Sequence, residues 1–464
     1  MDPPTGRTSL PLRLTRRAWT ILFLGLAIRE AFSFWTGHPF DLESFLRTGY
    51  VVAHGGDPYA AFWPAVPGVS FDYLSTRIAS TAYPPFWPLL LGGLYRLWEV
   101  VGGGNRFVLY FLIKQPAIAG DLLSAWLLYR IVGNATGDSR RALQVLTFWS
   151  LVPYTIIISA LWGQFDALLV AVLLAALASR RANARVLLEG AGVVVKWLTG
   201  VLFPLELFRE RGAYRLRFLL GMALALGAIG GSLWVLGWSF LSFRDTASSV
   251  SVGGPGGMNY VQLYGAPAVG WLLDRLPDSR LVSVFLWVPA ALVTGYLASR
   301  WLREEAAVST ELRAVLFVLL AVLLVRSGLN EQYMLYLFAP LAIDVVAFHP
   351  GRRALFSYLV GVSLVFLLIN NNLGIWFAAP VDPGLRTLAT TQDTSVWLGG
   401  ARTLGLDVLS VLVTLLLAQL LWVVYRDEAS PVPWISRLFL RRSAAPFPGP
   451  GAPPSESSPT EPRP

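Results

Sequence analysis

Residues 315–325 read Val-Leu-Phe-Val-Leu-Leu-Ala-Val-Leu-Leu-Val, and residues 409–424 read Leu-Ser-Val-Leu-Val-Thr-Leu-Leu-Leu-Ala-Gln-Leu-Leu-Trp-Val-Val. Wound as helices, neither stretch shows the polar face that a helix on a water-soluble core carries. With their flanks they reach the roughly 17–25 residues needed to cross about 30 Å of hydrocarbon. Similar runs recur along the chain, which is 55% hydrophobic and only 14% charged, where a soluble domain carries about a quarter charged residues. The pattern predicts an all-α protein, a polytopic bundle of transmembrane helices.

Arginine orients the bundle. Of the basic residues all but Lys114 and Lys196 are arginine, and basic residues collect on the cytoplasmic side of membrane proteins. Arg13, Arg16 and Arg17 precede a first span at about 18–35, read as a retained helix with a cytoplasmic N-terminus. A long first external loop, 37–106, follows. Its apolar stretch Phe86–Trp98 is too short to span comfortably and reads as an interfacial helix. Spans at 107–129, 142–160 and 167–179 come next. The stretch 186–208 has arginine clusters at both ends, so two half-spans turning near Lys196–Gly200 keep both clusters inside. Broken backbone at that depth is tolerated where protein encloses it. Further spans fit 216–241, 281–301, 311–325, 333–348, 354–369 and 404–425, giving about twelve crossings with both termini cytoplasmic. One transmembrane domain thus covers 1–425. A cytoplasmic tail covers 426–464, too rich in Pro, Ser, Ala and Gly beyond about Ser443 to build a core.

Composition excludes several chemistries. There is no cysteine, hence no disulfide, thiol or Cys-based zinc site. His38, His54 and His349 lack metal-ligand spacing. The net charge of +9 reports topology before it reports any nucleic-acid partner.

Ionisable groups in or beside spans mark function more often than elsewhere. Asp41 follows the first span; it reads either as a helix N-cap or as an exposed reactive carboxylate. Trp162-Gly163-Gln164-Phe165-Asp166 joins two spans outside, as a capped tight turn or as part of a site. Lys114 and Asp121, seven residues apart on one helix face, either neutralise one another or serve a site. Lys196, with only Glu189 near it in sequence, reads as an unpaired buried ammonium that needs an anion such as phosphate. Arg326 is either an interfacial anchor or an anion clamp. With Glu331 and the aromatic rims Tyr59, Tyr83, Trp87 and Trp162, these groups suit a cavity for a phosphate and a polyhydroxylated group. A carboxylate at its mouth suits a general base, and a fixed cation suits a phosphate leaving group.

In chain order the sequence carries an early external Asp, Gly55-Gly56-Asp57-Pro58-Tyr59, Tyr83-Pro84-Pro85-Phe86, Gly163-Gln164-Phe165-Asp166, a Lys in the next broken segment, and Asn330-Glu331-Gln332-Tyr333. From about 18 to 350 this resembles the polyprenyl-phosphate-sugar-dependent glycosyltransferases of the GT-C superfamily, particularly membrane mannosyltransferase-like members. The resemblance implies sugar transfer at the external face of the plasma membrane, from a polyprenyl-phosphate donor to a lipid or glycan acceptor, with inversion. It implies Asp41 as the catalytic carboxylate and Lys196 and Arg326 as donor-phosphate ligands. Asp57, Tyr59, Tyr83, Gln164, Asp166 and Glu331 would contact sugar or acceptor. Two departures stand out. Asn330 replaces the His that related members place beside this Glu, and Leu42 separates Asp41 from Glu43 where a second acid often follows directly. No metal or other cofactor is implied. A transporter or flippase, and a ligase or polymerase using lipid diphosphates, share many of these features. The absence of a second Gly-Gln-x-Asp or Tyr-Pro-Pro argues against the two matching halves of a transporter.

Overall fold

The structure, a computed structural model, describes residues 14–60, 66, 81, 83–179, 181–209, 212–251, 257–265, 279–305, 307–326, 328–382, 384–385, 387–388 and 396–428. The tail expected beyond Ser443 lies outside them. The described residues are helical or irregular, without strand. Among them, six helices are long and apolar enough to cross a membrane: Arg106–Thr136, Ala213–Val235, Val308–Val325, Glu331–Phe348, Pro350–Asn370 and Gly399–Arg426. A bent pair, Ser139–Leu151 and Pro153–Trp162, meeting at 46°, makes a seventh. The protein is therefore a helical membrane protein.

The first helix, α1 (Arg16–Ser33), falls short of that standard because its 18 residues include four charges, Arg16, Arg17, Arg29 and Glu30. Arg29 is fully buried and its Nε donates to Asp121 Oδ2 at 2.7 Å, on α4 (Arg106–Thr136). Asp121 also accepts from Trp149 Nε1 at 2.6 Å and from Ser159 at 2.8 Å. The expected Lys114–Asp121 pair does not form. Seven residues along a helix are about 10 Å of rise, beyond direct contact. Lys114 Nζ instead donates to the Thr36 carbonyl and hydroxyl just past the end of α1, a cation where a helix exposes carbonyls.

The next helix, α2 (Pro39–Ala53), lies against α3 (Phe86–Val101). Gly49 faces the Leu91 carbonyl so closely that a Cβ would approach it to 3.0 Å. Helix α3 is not among the helices long and apolar enough to cross a membrane. Helix α5 (Ser139–Leu151) bends into α6 (Pro153–Trp162), whose last turn, Ile157–Trp162, is a π-helix. Helix α7 (Asp166–Ala178) then packs on α4 at Gly120, where a Cβ would meet the Leu168 backbone at 2.5 Å.

Helix α8 (Ala182–Val195) ends at Lys196, which is extended (φ −162°, ψ 138°). A 3-10 segment, Trp197–Leu202, leads into α9 (Phe203–Arg209). Arg185 near the start of α8 pairs with Glu206 of α9 at 2.7 Å, so the chain has turned back on itself. Lys196 stands where the chain reverses, between α8 and the 3-10 segment. Away from that reversal Arg185 also reaches Glu189 and Glu311, and Arg209 reaches Glu311 at 2.9 Å.

Candidate functional site

The π-turn decides where the site's indole goes. It inserts an extra residue before Gly163, whose φ of +88° closes the turn in the left-handed region. A side chain there would also press on Lys114, whose Cγ lies 3.1 Å from the position of a Cβ. Trp162 Nε1 donates to Asp41 Oδ2 at 2.6 Å. His38 stacks on the indole (4.7 Å between centroids, 21° between planes) and places Nδ1 3.5 Å from the same carboxylate oxygen. The helix cap is His38, and Asp41 is the third residue of α2, so the N-cap reading is corrected. A carboxylate there still faces the positive end of the helix dipole. Among the described residues nothing donates to the other Asp41 oxygen, and the side chain is 18% exposed. Burial lowers the pKa of His38, against the opposing pull of Asp41, which favours a neutral ring.

Lys196 is not unpaired. Its ammonium lies 2.8 and 2.9 Å from the two oxygens of Asp166, a residue with no exposed surface at the start of α7. Tyr336 donates to the same carboxylate at 2.9 Å. Phe165, Tyr333 and Tyr83 present their rings to the ammonium at 5.1, 5.1 and 5.3 Å. No local pattern points to this pair, because its partners are 30 residues apart. Glu189, the only sequence neighbour, is held by Arg185.

Tyr83 joins the two halves. Its side chain hydrogen-bonds Gln164, and its phenol is held well above the ordinary value by burial, with Asp41, Tyr333 and Asp166 adding to the shift. It is therefore a neutral donor beside the carboxylates. Gln164 is 1% exposed, and its Oε1 has no partner among the described residues. Arg326, just past the helix Val308–Val325, lays its guanidinium over Tyr333 at 4.5 Å. Among the described residues no carboxylate lies within ion-pair distance of it. Asn259 fixes the turn beneath by donating to the carbonyls of Leu323 and Arg326. Glu331 accepts from Asn370 at 2.6 Å, and its own carbonyl accepts from Tyr154 at 2.7 Å.

Three expected contacts fall elsewhere. Asp57 Oδ1 accepts from the Tyr59 amide and Oδ2 from the Ser239 amide, each at 2.9 Å. Tyr59 is buried between Trp238 and Phe243 and reaches the site only through its hydroxyl on the Tyr83 carbonyl, 2.9 Å away. Trp87, expected on an aromatic rim, is fully buried against Phe165 at 3.9 Å. Glu43 is taken by Arg47 one turn on. Among the described residues no group of three or more His, Asp or Glu is placed to hold a metal ion. His38 and Tyr336 carry no motif signal: histidine spacing speaks only to metal binding, and Tyr336 lies in an otherwise apolar span.

Compared with known proteins, the chain matches no family model and no curated relative.

Proposed function

We propose that this protein is an integral membrane glycosyltransferase that moves a sugar from a polyprenyl-phosphate-linked donor to a lipid or glycan acceptor. One observation carries the reading. Among the described residues Asp41 has one carboxylate oxygen without a donor and Arg326 has no carboxylate partner, and Tyr83 and Tyr333 link the two. Asp41 takes the proton of the acceptor hydroxyl as its oxygen attacks the anomeric carbon. The bond from that carbon to the phosphate oxygen breaks, with inversion, and the negative charge that develops there falls to Arg326. Lys196, already neutralised by Asp166, holds the floor of the sugar site and leaves the phosphate to Arg326. With Lys196 and Asp166 cancelling, Arg326 is a cation without a carboxylate partner among the described residues, which suits a monophosphate better than a diphosphate. Gln164, Tyr83 and Glu331 supply hydrogen bonds to hydroxyls.

The same reading has about twelve crossings, both termini cytoplasmic and the site on the external face of the plasma membrane. A cysteine at Asn105 should then react with an impermeant thiol reagent from outside, and one at Ser139 should not. The decisive assay offers membranes radiolabelled polyprenyl-phosphate sugars one at a time. Label should pass to an acceptor from one of them, and the absence of transfer from every such donor would overturn the proposal.

A further inference from the structure

The indole of Trp162 holds Asp41 in a single orientation. Its N–H lies 2.6 Å from Oδ2, the short range expected of a donor meeting a charged acceptor. The ring cannot swing away. One face is covered by His38, and Phe377 stands 5.8 Å off, centroid to centroid. Backbone hydrogen bonds lock the three segments together: His38 donates to the Trp162 carbonyl at 3.3 Å, and Gly37 to the Phe377 carbonyl at 2.8 Å. Trp162 itself is 6% exposed, so little water competes for the N–H. The carboxylate therefore has one oxygen tied down and one accessible without a donor.

We propose that Trp162 is a positioning residue for Asp41: by binding Oδ2 it turns Oδ1 toward the acceptor hydroxyl and denies the side chain its other rotamers. This rests on the reading of Asp41 as general base. A carboxylate free to rotate would spend part of its time pointing away from the hydroxyl, and loss of alignment lowers the rate of the chemical step while ground-state binding is unaffected.

The test removes the N–H and keeps an aromatic ring. Trp162→Phe, and replacement of Trp162 by β-(3-benzothienyl)alanine, which puts sulfur where the N–H was, are assayed for donor KM, kcat and melting temperature. Both should lose about 10- to 100-fold in kcat, the worth of a hydrogen bond to a charged group. Donor KM should hold in both, and melting temperature at least in the near-isosteric variant. In an Asp41→Asn background the residual rate should change by less than about two-fold on adding Trp162→Phe, because the two changes remove one function. Wild-type kcat in the benzothienyl variant, or a full additional loss in the Asp41→Asn background, overturns the positioning role alone. An Asp41→Asn protein that transfers sugar at the normal rate overturns the general-base reading and this inference with it.

Discussion

Two aspartates in this protein accept a tryptophan N–H at the same distance, 2.6 Å, and the resemblance ends there. Asp121 takes Trp149 on one oxygen, and Arg29 and Ser159 on the other, with no exposed surface. Asp41 takes Trp162 on one oxygen, has none on the other among the described residues, and is 18% exposed. A carboxylate saturated inside a bundle is a structural strut, since each partner offsets its desolvation. One held from behind and open in front has an oxygen left for chemistry. The count of donors on each oxygen separates the two, and exposure differs in the same direction.

The comparison can be broken at either end. The largest expected effect is on Asp41. Asp41→Asn should lower the transfer rate by about 10²–10⁴-fold, the contribution of a positioned general base. Its unfolding midpoint in the same detergent should stay within error of wild type, because an amide oxygen still accepts from Trp162. A stability loss with intact turnover would make Asp41 a second strut. Asp121 should behave in reverse. Arg29→Met strands a buried carboxylate and should destabilise by about 3–5 kcal/mol, with turnover per folded molecule unchanged. Lys196→Met strands Asp166 in the same way and should lose stability on that scale. A fully stable Lys196→Met protein that fails only to bind donor would return the phosphate to the lysine. Arg326→Gln is the intermediate case. Without a carboxylate partner to strand, it should fold normally and weaken donor binding by about 1.5–3 kcal/mol, measured as donor affinity at fixed salt.

The helices were legible because neither lipid nor the interior of a bundle calls for a polar face: the run at 315–325 is enclosed by protein, that at 409–424 is partly exposed, and neither shows one. The reversal near Lys196 was legible too: arginine clusters stand at both ends of 186–208, and Arg185 meets Glu206 in space. Ion-pair partners were not legible. Arg29 and Asp121 are 92 residues apart, Lys196 and Asp166 30, and no periodicity connects two helices that meet only in the bundle. Motif order also misled at Gly55-Gly56-Asp57-Pro58-Tyr59. An Asp before Pro and an aromatic is as good a turn-former as a site residue, and here the fold uses it as a turn.

That third aspartate gives the smallest and sharpest test. Asp57 resembles neither of the other two: both its oxygens are occupied, like those of Asp121, yet by backbone amides rather than by a cation. One bond closes the turn onto Tyr59. The other holds the amide of Ser239, whose hydroxyl oxygen in turn accepts from the Ser242 amide at 3.1 Å, at the start of the helix Phe240–Ser251. Removing the carboxylate frees two backbone donors in a partly buried corner without stranding any charge. Asp57→Ala should therefore cost about 1–2 kcal/mol, the range of a lost cap, and Asp57→Asn about half of that, since the amide keeps one accepting oxygen. Turnover of the folded protein should hold in both, because Tyr59 stays packed between Trp238 and Phe243 and still donates to the Tyr83 carbonyl. Unfolding midpoints and initial transfer rates on the same samples check it. A rate that collapses in Asp57→Asn at unchanged stability would show that a carboxylate with both oxygens occupied can still do chemistry, and the donor count would lose its value as a guide to Asp41.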